Sequence, residues 1–207
     1  QAYADYVRGG EDFPLDAFRG RHGSASQAIG YGKSLMLFHM LRRDLGDETF
    51  VAGLRRFYRD NVFRLAGYDQ LRLAFEQASG RDLKGFFDAW TRRAGAPDLA
   101  LAAVTLAPTA SGYRLEGRVE QTQPQAPFPL TVPLVVHLKD GGLVQQRIPL
   151  EDGAVDFVID LPAAPLRLAL DPEFDLFRRL APGENPVSLS ALFGAKQGLM
   201  VLPAAKT

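Results

Sequence analysis

The sequence has no cysteine, three histidines and one tryptophan among 207 residues. Without cysteine the chain makes neither a disulfide nor a thiolate-ligated zinc site. His22, His39 and His137 show no metal-ligand spacing, so no metal is expected to be held by this chain alone. Lys plus Arg and Asp plus Glu number 24 each, and the net charge is zero. Phosphate backbones require a concentrated basic surface, so nucleic acid is not an expected partner. No apolar run approaches the ~20 residues of a membrane-crossing helix, and no membrane span is expected. Glycine-rich phosphate loops, Ser-His-Asp arrangements, internal repeats and low-complexity segments are also missing.

A hydrophobic content of 46% and a charged content of 23% describe an ordinary globular chain, long enough for one large or two modest domains. Residues 1–9 predict the end of a helix closed by Gly9-Gly10, and Gln1 to Val7 read as the middle of a longer polypeptide. A polar loop from Pro14 to Ser26 carries Arg19-Gly20-Arg21-His22-Gly23, either a contact for a substrate carboxylate or a solvated connector. Between Leu35 and Leu41 apolar side chains point in nearly every direction, which predicts a helix enclosed on most sides and ending near Leu45-Gly46. Asp47 is the expected N-cap of a helix to about Asn61, with Phe50, Leu54 and Phe57 on one stripe. Tyr68 to Ser79 aligns Leu71, Phe75 and Ala78 before Gly80, and Asp82 to Arg93 carries Leu83, Phe86, Phe87 and Trp90. Short connections between them imply antiparallel neighbours in a helical lobe.

At Pro97 the period changes from about 3.6 to 2. Tyr113–Gln121, Leu130–Leu138, Leu143–Leu150, Ala154–Leu161 and Leu166–Leu170 read as short strands, with a hairpin at Asp140-Gly141-Gly142. The expected fold class is α+β multidomain: an all-α lobe, then an antiparallel immunoglobulin-like β-sandwich, then a short C-terminal α/β tail. The corresponding domains are 1–96, 97–181 and 182–207. Asp171-Pro172 reads as a turn starter rather than, with Asp175, a calcium site. Phe174–Leu180 is a last strand or a short helix, Val187–Gly194 a short helix, and Gly198–Pro203 a strand.

The most informative stretch is Gly30-Tyr31-Gly32-Lys33-Ser34, a Tyr-x-Lys-small pattern that opens the apolar helix and leads to Leu45-Gly46-Asp47-Glu48-Thr49-Phe50. Gly53-Leu54-Arg55-Arg56-Phe57-Tyr58, Phe75 to Leu83, Phe86-Phe87-Asp88-Ala89-Trp90 and Gly95-Ala96-Pro97 follow in order. This set, over roughly residues 26 to 180, resembles the alanyl-aminopeptidase type of zinc metallopeptidases, the gluzincin aminopeptidases. Ser34 stands where that family usually has glycine.

The resemblance implies the C-terminal portion of such an enzyme, with a peptide as substrate and the upstream half of the same polypeptide as partner. One zinc ion is expected in the full-length parent, held by His-Glu-x-x-His and a later Glu upstream of Gln1, and no cofactor in this chain. Tyr31 is then catalytic, its hydroxyl donating to the oxyanion of the tetrahedral intermediate, and the chain alone is inactive. Read from its residues alone, Tyr31 is a helix-start aromatic whose hydroxyl bonds to backbone. Lys33 is expected in a structural ion pair, His39 as a hydrogen-bonded core histidine, and His137 has no role. The alternative function is a non-catalytic relative, a peptide-binding or assembly module. Residues preceding Gln1 decide between the two. An extracytoplasmic, periplasmic location would suit the missing cysteines.

Overall fold

The computed structural model describes residues 2–7 and 11–184. The expected Gly9-Gly10 stop, the 187–194 helix and the 198–203 strand lie outside them. Helices come first: α1 (Ala2–Tyr6), then a 3-10 turn at Leu15–Ala17. One continuous helical run comes next, made of α2 (Ser24–Gln27), a π-helical turn (Ala28–Lys33) and α3 (Ser34–Leu45). Three more helices are α4 (Asp47–Asn61), α5 (Tyr68–Ser79) and α6 (Lys84–Thr91). α4 and α5 approach closely because Gly53 has no Cβ, which would lie 2.3 Å from the Phe75 ring. Around that contact Leu41, Leu71, Phe75, Leu83 and Phe87 form a buried cluster.

Three helical expectations need correction. α3 buries Leu37, Met40 and Leu41, but Leu35 is 69% exposed, because the described residues supply neighbours for one face only. Gly46, at φ 79°, takes the N-cap position before α4. Asp47 sits inside the first turn, where its carboxylate accepts from Arg42 through bonds of 2.7 and 2.9 Å instead of capping the helix. α6 begins at Lys84 rather than Asp82, since Asp82 Oδ1 accepts the Lys84 amide at 2.8 Å and so precedes the helix.

The strands are β1 (Leu99–Thr109), β2 (Gly112–Gln121), β3 (Leu130–Leu138), β4 (Leu143–Leu150), β5 (Ala154–Leu161) and β6 (Pro165–Leu170). They make two three-stranded antiparallel sheets, ordered β1-β2-β5 and β4-β3-β6. Alternate residues of both sheets, among them Val119, Val132, Leu134, Leu150, Phe157 and Ile159, enter one buried cluster, so the sheets pack face to face. Leu37, Met40, Trp90 and Phe177 belong to the same cluster. Helices and sheets therefore share a core across the helix-to-strand change between Thr91 and Leu99. β1 was not legible in the sequence: its register breaks between Ala102 and Thr105, and Ala103 has φ 49°.

Phe174–Leu180 is neither strand nor helix; Arg179 forms an isolated parallel bridge with Asp98. Asp171 starts a turn, as expected, with the Phe174 amide donating to its carbonyl at 3.1 Å. Its carboxylate accepts the Asp175 amide at 2.7 Å and Arg178 Nε at 2.8 Å, and the Asp171 and Arg178 side chains are 0% and 1% exposed. Arg178 also forks onto Glu184, 2.9 Å to each oxygen. Removing one partner strands a buried charge, so Arg178→Ala is expected to lower the unfolding free energy by about 3–5 kcal/mol in urea titration. Arg118→Ala, which breaks an exposed pair with Asp156, should leave the midpoint unchanged.

Candidate functional site

Tyr31 lies on the π-helical turn, a winding found mostly as short insertions and frequently at functional sites. Gly30 is what lets the turn sit where it does. A Cβ there would come within 2.3 Å of Phe18; without it the Phe18 ring meets Tyr31 edge-on, with centroids 5.8 Å apart at 70°. Such a contact contributes about 0.5–1.5 kcal/mol and fixes the direction of the phenol. Tyr31 is 58% exposed, and no described residue hydrogen-bonds its hydroxyl, so the reading of a backbone-satisfied aromatic does not hold. Beside it is a hollow of about 340 Å³ bordered by Tyr6, Ser24, Gln27 and Gly32.

The turn is anchored from below by Lys33, which is 1% exposed. Its ammonium donates to the carbonyls of Arg93 at 2.7 Å and Gly95 at 3.3 Å. The expected ion pair is thus replaced by carbonyl ligands, with Asp12 acting on Lys33 only through its field. Asp12 Oδ2 accepts the Gly95 amide at 2.7 Å and the Tyr3 hydroxyl, while Oδ1 is buried without a partner among the described residues. Burial pushes the Lys33 pKa down to about 8 against the attraction of Asp12, and the Arg93 charge adds to the lowering. Burial and the bond to Asp12 raise that of Tyr3. Ser34, where glycine is usual, donates its hydroxyl to the Gly30 carbonyl at 2.6 Å, so the substitution stitches the turn to α3.

The remaining candidates lie apart from Tyr31. His39 Nε2 is 2.7 Å from Asp175 Oδ1, and Arg43 shares that carboxylate at 3.1 Å. With its side chain 39% exposed, His39 is hydrogen-bonded as expected but sits at the margin of the core. Arg19 donates to the carbonyls of Asp16 and Phe18, so its loop folds on itself as a connector that carries Phe18. His137 sits on β3. Among the described residues no group of three or more His, Asp or Glu could hold a metal, and the zinc implied by the resemblance does not fit them. Phe18 and Asp12 were missed in the sequence; the glycine at position 30 was the one signal that something packs closely there.

No family model matches the chain. Aminopeptidase N of Lactococcus lactis subsp. lactis is 40% identical over 70 residues, which are 34% of this chain and 8% of that protein. Glutamyl aminopeptidase of Bitis rhinoceros is 27% identical over 118 residues, 57% of this chain and 12% of its own length. The alanine/arginine aminopeptidase of Saccharomyces cerevisiae is 28% identical over 134 residues, 63% and 15% respectively. The chain is a relative of the aminopeptidases. This aminopeptidase relative spans only 8–15% of the length of those curated proteins. It shares its fold with the crystal structure of Legionella pneumophila aminopeptidase A in complex with aspartic acid, at TM-score 0.62 and 18% identity over 83% of this chain and 21% of that one.

Two measurements check how the turn is held. Gly30→Ala is expected to cost about 1–3 kcal/mol by overpacking against Phe18, and the cost should largely vanish in a Phe18→Ala background, read from urea midpoints. Between pH about 8 and the ordinary 10.5, folded Lys33 holds fewer protons than unfolded Lys33, so stability rises with pH across that window. Wild type should therefore gain on Lys33→Met in paired melts from pH 8 to 10, whereas parallel curves would mean that Lys33 titrates normally.

Proposed function

We propose that this chain is part of an aminopeptidase-type peptidase and that Tyr31 Oη–H donates a hydrogen bond to the oxyanion of the tetrahedral intermediate. The observation that carries the reading is an exposed phenol, braced by Phe18 on a π-helical turn, whose hydroxyl no described residue occupies. A neutral carbonyl oxygen accepts such a bond weakly and an oxyanion strongly, so the donor lowers the barrier without tightening the ground state equally. The hollow bordered by Gln27 and Gly32 takes part of the peptide in this reading. Any zinc and its ligands would come from outside the described residues, and for that reason the chain by itself is inactive.

In the same reading, residues 1–96 form a wall of the catalytic lobe and 97–181 an immunoglobulin-like sandwich, with 182–207 a linker and tail. The paired three-stranded antiparallel sheets support the sandwich, with the chain crossing between sheets after β2, β4 and β5. The test is Tyr31→Phe in the full-length polypeptide with aminoacyl-chromophore substrates. Turnover is expected to fall by ~10²–10³ while substrate affinity holds. Undiminished turnover would take Tyr31 out of the chemistry and leave the peptide-binding module as the better description.

A further inference from the structure

Tyr31 is exposed, borders a hollow of about 340 Å³, and has no hydrogen bond to its hydroxyl among the described residues. A long side chain on a helical turn takes either of two χ1 rotamers, and solvent does not choose between them. Among the described aromatic rings only Phe18 meets the phenol, edge-on at 5.8 Å and 70°. A contact of that kind favours one orientation by roughly two- to tenfold.

Phe18 itself is held so that it does not follow the phenol. Leu15, 1% exposed, seats the 3-10 turn that precedes it, and the Phe18 amide closes that turn onto the Leu15 carbonyl at 3.1 Å. The Arg19 guanidinium donates back to the Asp16 and Phe18 carbonyls at 2.6 and 3.1 Å, which ties the backbone on the other side of the ring. The ring then abuts the helical turn, for a Cβ on Gly30 would fall 2.3–2.5 Å from three of its atoms. Phe18 is a post rooted in the core that stands against the residue next to Tyr31.

We propose that Phe18 is a positioning residue for Tyr31, its ring selecting the orientation in which the phenol O–H faces the reacting carbonyl. The inference rests on Tyr31 being the oxyanion donor. Phe18 does not touch the substrate; it raises the fraction of molecules whose donor is already aimed, and a donor lowers the barrier only when it is aimed. Removing the ring while keeping its bulk therefore slows turnover and leaves substrate affinity alone.

The experiment is a cycle of Phe18→Leu, Tyr31→Phe and the double variant in the full-length polypeptide, with kcat and KM read on aminoacyl-chromophore substrates. Phe18→Leu is expected to lower kcat roughly two- to tenfold with KM unchanged. Phe18→Tyr, which keeps the ring, is expected to retain wild-type kcat, and the double variant to be no slower than Tyr31→Phe. Phe18→Met, also without a ring, takes the place of Phe18→Leu should that variant not fold. Unchanged kcat in the ringless variant, a rise in KM instead, or an equal further loss in the Tyr31→Phe background overturns the role of Phe18, while a slow Tyr31→Phe keeps the donor role standing. Undiminished turnover in Tyr31→Phe removes the donor role itself, and the role of Phe18 with it.

Discussion

The ammonium of Lys33, drawn inside the protein and shared between the carbonyls of Arg93 and Gly95, is the contact on which the placement of Tyr31 depends. Burying a charge is costly unless polar groups replace its water. Here two carbonyls do so, with the field of Asp12 in support. Hydrogen bonds to a charged group contribute about 1.5–3 kcal/mol each, enough to offset much of that cost. Gly95 is used from both sides, its carbonyl facing Lys33 and its amide facing Asp12. Its φ of 98° is one that a residue with a side chain rarely adopts. The head of the tyrosine helix is thereby tied to the segment in which helices give way to strands.

That tie would be slack if the segment itself were loose, and the aromatic stack above it prevents this. Trp90 lies nearly flat on Phe128 and edge-on to Phe177, with centroids 4.9 and 6.0 Å away. Arg93 covers the Phe128 ring at 4.2 Å and donates to the Pro127 carbonyl at 2.9 Å. These side chains come from α6, from the approach to β3 and from the stretch after β6, so helices and sheets lock against each other through one cluster. Asp171 and Arg178 pin the last of those stretches from its other side. Tyr31 is consequently referenced to the sheets, not only to neighbouring helices.

Much of this was legible in the sequence, and the failures have physical causes. β3, β4 and β5 fall where apolar runs bounded by turn residues put them, because each has an inward face that must be apolar and a hairpin or glycine turn to set its register. α5 is bounded by Tyr68 and Gly80 for the same local reasons, with Gly80 at φ 68° closing the helix. β1 escaped because alanine-rich edge strands carry little pattern and its bulge shifts the alternation midway. At the candidate site, the Tyr-x-Lys-small motif singled out Tyr31. Its supports could not be read, since Lys33 reaches across 60 and 62 positions to its carbonyls and Phe18 approaches from a loop without periodicity. Local spacing carries no record of contacts that only the folded chain brings together.

The bulge in β1 also bears on how the protein keeps to itself. β1 is the outer strand of its sheet, and an outer strand displays unpaired amides and carbonyls on which a second molecule can build. Its ladder runs in register from Leu99 to Ala102, breaks at Ala103 and resumes shifted from Thr105 to Thr109, and Pro108 in the second part lacks an amide hydrogen. A strand adding itself to that border would lose step after one short segment, a built-in guard against fibril growth.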